Sequence, residues 1–438
     1  MVGKADIFFQ HSNTPSLQCS MNLIGESAMT SEIMELADRV IAKTYKRFPL
    51  VLAKGSACTL FDTRGRSYTD FVAGIAVCNL GHSHAGIAQA ISTQAQTLTH
   101  VSNLYYTIPQ VELAAWLVEH SFADRAFFCN SGAEANEAAI KLARKYFNDR
   151  GENNRFRIIT MEQSFHGRTM ATLSATGQDK IKKGFDPVLE GFDYVPFNDI
   201  EALRSKIDAN TCAVMLEPIQ GEGGVRCPDP GYLKAVRQIC DEKGLLLIFD
   251  EIQTGMGRTG KLFAYEHFDV KPDIMTLAKA LANGLPIGAM LAREQVAEAF
   301  GPGAHATTFG GTPLVTAAAL EVCKTLVQGN IINQGCEAGE YFREKLLWLK
   351  ERHDVIADFR GLGLLIGIKL AINGESIVNQ CLQRGFLINC IQENILRFVP
   401  PLIIKKEEID NLVDCLDEIF QDLQSREQLL NSDLINRK

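Results

Sequence analysis

Short apolar runs alternate with stretches of helical periodicity along most of this chain. Arg157-Ile158-Ile159-Thr160, Ala213-Val214-Met215-Leu216 and Leu245-Leu246-Leu247-Ile248-Phe249 are apolar enough to be buried on both faces, as central strands of a parallel sheet are. Between them, residues 135–147 and 231–243 carry apolar positions at helical spacing. This alternation predicts an α/β domain over roughly 82–325, with helices on both faces of one mostly parallel sheet. Residues 30–81 open with an amphipathic helix and continue into extended runs around Thr63 to Gly65, the pattern of a hairpin. Residues 326–425 mix helices with short strands at 364–370 and 396–399, and are expected to pack with 30–81 as a smaller α+β unit. Residues 1–29 read as a loose leader, with Met29 as a candidate start, and 426–438 as a frayed tail.

Composition narrows the class. A chain of 438 residues exceeds one hydrophobic core and fits two or three domains. With 46% hydrophobic and 22% charged residues it is ordinary globular sequence. A formal net charge of −8 provides no basic footprint for nucleic acid or an anionic membrane. No apolar run approaches the ~20 residues of a spanning helix. The first 28 residues hold one Lys and no Arg, which fits neither a secretory signal nor a transit peptide. The 12 cysteines are scattered without CxxC pairs or zinc spacing, so reduced thiols and a cytoplasmic location are expected.

Three segments carry candidate chemistry. Asn130-Ser131-Gly132-Ala133-Glu134-Ala135-Asn136 follows an apolar run and opens a helix, so small residues there let backbone N–H groups face an anion. A plain strand-to-helix turn with a Ser cap fits it too. Asp250, at the end of the run 245–249, stands where α/β proteins place ligand sites and needs a positive partner if buried. A structural salt bridge is the plainer account. Lys279, within Ile274-Met275-Thr276-Leu277-Ala278-Lys279-Ala280-Leu281, is an amine whose pKa desolvation lowers, as a Schiff-base lysine requires. Alone it also fits a lysine snorkelling from a helix. Gly255-Met256-Gly257-Arg258-Thr259-Gly260 matches a dinucleotide fingerprint, but five polar-rich residues separate it from the strand end, so it is a weak match.

An anion cradle, a strand-end acid and a desolvated lysine are together the parts that pyridoxal phosphate requires. On these segments, and on FHGRT, LEPIQGEGG, FDEIQTGMGRTG, LAKAL, TTFGG and LRFVPPL, the chain resembles the class III (ω-) aminotransferases of fold type I from about Thr30 to Gln421. Within that class it is most similar to the acetylornithine aminotransferases. The resemblance implies that Ser131, Gly132 and Ala133 hold the cofactor phosphate and that Phe165 stacks on the pyridine ring. It implies that Asp250 keeps the ring nitrogen protonated and that Gln253 lies near the phenolic oxygen. Lys279 would bind the cofactor covalently and then move the proton between substrate carbon and cofactor. Thr308 would reach the phosphate of a neighbouring subunit, making the active form a homodimer. Arg168, Glu222, Arg397 and Tyr45 would bind substrate.

The resemblance further implies that Glu222 pairs with Arg397 while N-acetylornithine is bound, its carboxylate held by Arg168. Glu222 would release Arg397 when 2-oxoglutarate or glutamate enters, because an unpaired buried charge is costly. A structural ion pair is the alternative. His166 reads as a packed histidine, and His82-Ser83-His84 as a structural loop rather than a metal site. Ala282 and Thr312 stand where many relatives carry Gly and Asn, which blurs the subfamily. Ornithine, succinylornithine or succinylated diaminopimelate, and 4-aminobutyrate remain alternative donors. A same-fold aminomutase conflicts with Arg168 and the sequence after Asp250, and a non-catalytic cofactor-binding protein conflicts with Lys279 and Asp250 together.

Overall fold

The computed structural model describes residues 26–435, with side chains from 30 to 425. Two compact units emerge: residues up to Lys54 with Leu60–Ser67, and Gly55–Thr59 with everything from Tyr68 onward. In the smaller unit, helix Glu26–Val40 already includes residues 26–29 of the expected leader; the rest of that leader lies outside the described residues. The Thr30 and Thr63 hydroxyls share a hydrogen bond of 2.7 Å. The turn at 63–65 is present. Asp62 N–H donates to Arg66 O, its carboxylate accepts from the N–H groups of Arg64 and Arg66, and Gly65 takes a φ of +77°, which costs glycine little.

The strands begin with β1 (Leu52–Ser56), β2 (Thr59–Asp62) and β3 (Ser67–Asp70). Seven more form the centre of the larger unit: β4 (Arg125–Cys129), β5 (Arg157–Met161), β6 (Phe192–Val195), β7 (Thr211–Leu216), β8 (Leu246–Asp250), β9 (Ile274–Leu277) and β10 (Gly288–Ala292). Their order is β4-β10-β9-β8-β7-β5-β6, and only β10 runs antiparallel to its neighbours. Every residue of β7, β8, β9 and β10 is buried, which is why their sequences are continuous apolar runs. Helix Gly132–Asn148 packs on the sheet through Ala135, Ala138, Ala139 and Ala143, small residues that permit close approach. Its Ile140, Leu142 and Phe147 share a core with Met215, Ile248 and Met290. Each such large side chain contributes ~1.5–3 kcal/mol by burial.

Further along, β11 (Ile356–Leu362), β12 (Leu365–Leu370), β14 (Asn389–Ile391) and β15 (Ile395–Phe398) form an antiparallel sheet in the order β11-β12-β15-β14. The short β13 (Phe386–Leu387) instead pairs in parallel with Thr69 and Asp70 of β3. The rings of Phe71, Phe342 and Phe398 meet at centroid distances of 5.3–6.5 Å, joining helix Ile331–Arg352 to this layer. Two expected boundaries fall inside helices. Helix Pro313–Gln328 runs through 325, because buried Val322, Cys323 and Leu326 continue its apolar stripe. Helix Lys406–Ile435 carries the backbone through most of the expected tail, where no Gly or Pro interrupts it. Among the described residues no helix is long and apolar enough to cross a membrane.

One local feature departs from ordinary geometry. Ala73, Gly74, Ile75 and Ala76 take φ values of +48°, +64°, +69° and +59°, a left-handed run that costs roughly 1–2 kcal/mol per non-glycine residue. Buried Asp70 accepts from the N–H groups of Val72 (2.8 Å) and Ala73 (2.9 Å) and pairs with His82 Nε2 at 2.7 Å. His84 caps helix Ala85–Thr97 by accepting from Ile87 N–H. Both histidines of the 82–84 loop thus have structural tasks.

Candidate active site

Asp250 ends β8 in the middle of the sheet and is 3% exposed. Its Oδ2 accepts from Asn136 Nδ2 (2.7 Å) and His166 Nδ1 (2.8 Å), and its Oδ1 from Ile252 N–H (3.1 Å). Asn136 in turn donates to His166 O at 2.8 Å and accepts from Thr276 Oγ1 at 2.7 Å. The carboxylate is therefore fixed by groups from a helix, a loop and the segment after β8, and Thr276 on the neighbouring strand holds Asn136 in turn. Among the described residues, the imidazole of His166 is the ionisable side chain hydrogen-bonded to Asp250. His166 is buried, as a packed histidine would be, but it also has this specific bond, and its Nε2 is left without a partner.

Lys279 follows β9, adjacent to β8, and opens a short 3-10 turn with a φ of +44°. A left-handed non-glycine backbone is costly and is often found at functional positions. Burial pushes its ammonium below the usual lysine range. Glu222 opposes that shift, Arg397 adds to it, and Asp250 and Glu217 oppose it. That downward direction is the one a nucleophilic amine needs. Ser131 caps helix Gly132–Asn148, its Oγ accepting from Glu134 N–H at 3.2 Å. At Gly132 a Cβ would stand 2.7 Å from Ile252 Cδ1, so a larger residue would push the Ile252 side chain aside. Ser131, Gly132, Ala133, Phe165, Asp250 and Lys279 line one cavity of about 440 Å³, together with Arg168 and Gln253. Arg168 is exposed, its guanidinium 5.6 Å from the Phe165 ring centroid.

Beside Lys279, Arg397 on β15 is 1% exposed and hydrogen-bonds Glu222 through NH1. Gln253 bridges them, donating to Glu222 Oε1 and accepting from Arg397 NH1, each at 3.3 Å. Burial alone would raise the Glu222 carboxyl, but Arg397 and Lys279 outweigh it and hold it below the usual carboxylate range. Glu217 behaves oppositely. Desolvation pushes it up to about 7 although it accepts from the N–H groups of Phe165 (3.1 Å) and Gly221 (3.0 Å). It ties the segment carrying Phe165 and Arg168 to the one carrying Glu222.

The structure thus brings together Ser131, Gly132, Ala133, Phe165, Arg168, Asp250, Gln253 and Lys279 around one cavity, with Glu222 and Arg397 beside Lys279. Thr308 is exposed and does not line this cavity within the chain. Tyr45 is exposed and belongs to the smaller unit. Sequence reading missed Asn136 and Glu217. Asn136 had a signal, a polar residue inside the alanine face of its helix; Glu217 had only its position at the end of a buried strand. The glycine pattern at 255–260 is a buried turn. Arg258 within it donates to the carbonyls of Leu364 and Pro400 and to Asn79, and a Cβ at Gly257 would meet Leu402 at 2.8 Å.

These residues fit pyridoxal phosphate. A buried, three-fold hydrogen-bonded carboxylate suits a pyridinium, the open helix N-terminus suits a phosphate, and a desolvated lysine suits an aldehyde.

Comparison with known proteins agrees with this geometry. The chain is 52% identical over 394 residues to the acetylornithine aminotransferase of Methanocaldococcus jannaschii, covering 89% of this chain and 98% of that protein. The N-acetylornithine aminotransferase structure from Stenotrophomonas maltophilia matches 90% of this chain and all of its own, with 38% identity and a TM-score of 0.78. An ornithine aminotransferase from Toxoplasma gondii, with partial occupancy of PLP at its active site, matches 96% of this chain and all of its own at 31% identity, with a TM-score of 0.90. The sequence profile of the class-III aminotransferases matches residues 40–420, and with a site of this geometry inside that span the chain belongs to the class-III aminotransferase family.

Proposed function

We propose that the chain transfers the distal amino group of N2-acetyl-L-ornithine to 2-oxoglutarate, yielding N-acetyl-L-glutamate 5-semialdehyde and L-glutamate, a step of arginine biosynthesis. Pyridoxal phosphate is the cofactor of this family; when bound, it supplies the aldehyde that accepts the amino group and a ring that takes up electrons from the reacting carbon. Ser131, Gly132 and Ala133 would hold its phosphate, Phe165 would cover the ring, Asp250 would keep a proton on the ring nitrogen and Gln253 would serve the phenolic oxygen. Lys279 would attach it and would then carry the proton to and from the substrate carbon. Arg168 would grip the substrate's remote carboxylate.

The observation that carries the reading is the Glu222–Arg397 pair beside Lys279. A donor with an uncharged reacting end leaves that pair closed. A 2-oxoglutarate molecule, with a carboxylate next to its reacting carbon, needs Arg397 released. One pocket can then serve both half-reactions, and kinship with acetylornithine aminotransferases at about half identity favours the acetylated donor. We further propose a cytoplasmic homodimer in which Thr308 completes the partner's phosphate site. The amino-donor test is a panel of N-acetylornithine, ornithine, N-succinylornithine, N-succinyl-diaminopimelate and 4-aminobutyrate with 2-oxoglutarate. N-Acetylornithine should give the highest kcat/KM; a higher value for another donor would transfer the assignment to it.

A further inference from the structure

A second cleft of about 500 Å³ shares no lining residue with the first. Phe197, Asn198, Arg226, Arg343, Phe359 and Arg360 line it, between the segment after β6, the ribbon ending at Arg226, helix Ile331–Arg352 and strand β11. On a chain of net charge −8, three guanidinium groups around one cleft are a local reversal. Arg360 pairs with Asp358 at 2.8 Å. Among the described residues, Arg226 and Arg343 have no carboxylate partner; Arg343 lies 5.7 Å from the Phe359 ring centroid. The Asn198 amide is used in holding the wall, donating to Cys227 O and accepting from Asp229 N–H.

The geometry points to this cleft as a binding site for a small polyanion, a phosphoryl or polycarboxylate group with two or more negative charges. Guanidinium forks match such oxyanions bidentately, and the flanking phenyl rings limit competing water. The ligand would be held by Arg226, Arg343 and the outward face of Arg360. The ribbon gives this site a route to the first. Gln220 and Arg226 exchange two backbone hydrogen bonds of 3.0 Å, Glu222 lies between them, and Arg360 NH1 donates to Gly224 O at 3.3 Å. A ligand gripping Arg226 and Arg360 therefore bears on the ribbon that positions Glu222. This coupling rests on the proposed reaction, whereas the binding does not.

Calorimetry on the cofactor-loaded enzyme tests the binding, with inorganic pyrophosphate and, separately, citrate as probes. One site per chain is expected, weakening with added salt and weakened at least tenfold in the Arg226→Ala/Arg343→Ala variant. Both side chains are exposed, so the variant should keep its Tm and cofactor absorbance. Binding of pyrophosphate alone assigns a phosphoryl ligand, and of citrate alone a polycarboxylate. Equal affinity in wild type and variant, or no binding of either probe in the millimolar range, overturns the site. Where binding holds, pyrophosphate should change the ratio of donor to acceptor half-reaction rates in wild type but not in the variant. An unchanged ratio removes the coupling and leaves both the binding and the proposed reaction standing.

Discussion

At the residue scale, a carboxylate is only as useful as the charge it keeps. Asp250 accepts three hydrogen bonds while almost fully buried, where an unsatisfied carboxylate would be costly. Asp250→Asn removes the charge while preserving the shape. Electrostatic contributions of this kind are worth ~3–4 kcal/mol, or roughly 10²–10³ in rate. The single-turnover rate should fall by about that factor while the far-ultraviolet spectrum stays native. A rate within a few-fold of wild type would remove Asp250 from its role toward the ring. Asp250 and Lys279 were readable in the sequence because each breaks an apolar run at the end of a strand. His166 was not readable as Asp250's partner, since the two are 84 positions apart and only the fold joins them.

At the element scale, the three central strands and the helices at 132–148 and 232–243 were legible because burial on both faces of a parallel sheet leaves an unmistakable apolar signature. The connection 217–226 was legible only as a motif. Its path depends on Glu217 bonding to Phe165 and Gly221, and on Arg397 arriving from β15. These contacts are long-range and have no periodicity to reveal them. That ribbon gives the sharpest kinetic expectation. Glu222→Ala should favour the glutamate half-reaction relative to the acetylornithine half-reaction. Arg397→Ala should damage mainly the glutamate half-reaction, and Arg168→Ala both. Stopped-flow measurement of each half-reaction decides it; equal losses in both for Arg397→Ala would make the pair merely structural.

At the scale of the whole molecule, helix Pro313–Gln328 runs through the expected division at 325, and local composition carries no mark of where a long helix changes partners. Assembly is equally invisible to local pattern. Thr308 is exposed and does not line its own chain's cavity; its proposed action in trans is open to a direct test. Lys279→Ala alone should abolish turnover and covalent attachment of the cofactor. Mixed with Thr308→Ala under conditions of proven subunit exchange, it should recover activity. In each hybrid dimer one site carries both defects and the other carries neither. Activity that does not rise on mixing, given clear defects in both parents, would place Thr308 outside the partner's site.

The left-handed run at 73–76 sets an alkaline ceiling on the enzyme. Its geometry depends on Asp70, and Asp70 is matched by His82, whose imidazole is pushed up to about 9, first by its bond to Asp70, then by Cys78, against desolvation. Because the folded value lies above the ordinary one near 6.5, the stabilisation is fully present below that pH and is lost as pH rises through about 9. A shift of that size corresponds to on the order of 3 kcal/mol. Val77, immediately after the run, lines the active cavity, so the first consequence of discharging His82 should be slack in the wall rather than general unfolding. Cofactor retention and Tm should both decline between pH 7 and 10 in wild type. In His82→Gln they should start lower and stay flat across the same interval. A parallel decline in the two proteins would shift the alkaline limit to some other group. If only the wild type declines, a catalyst working at high pH is to be sought by replacing this histidine with a permanent cation rather than by adjusting the catalytic lysine.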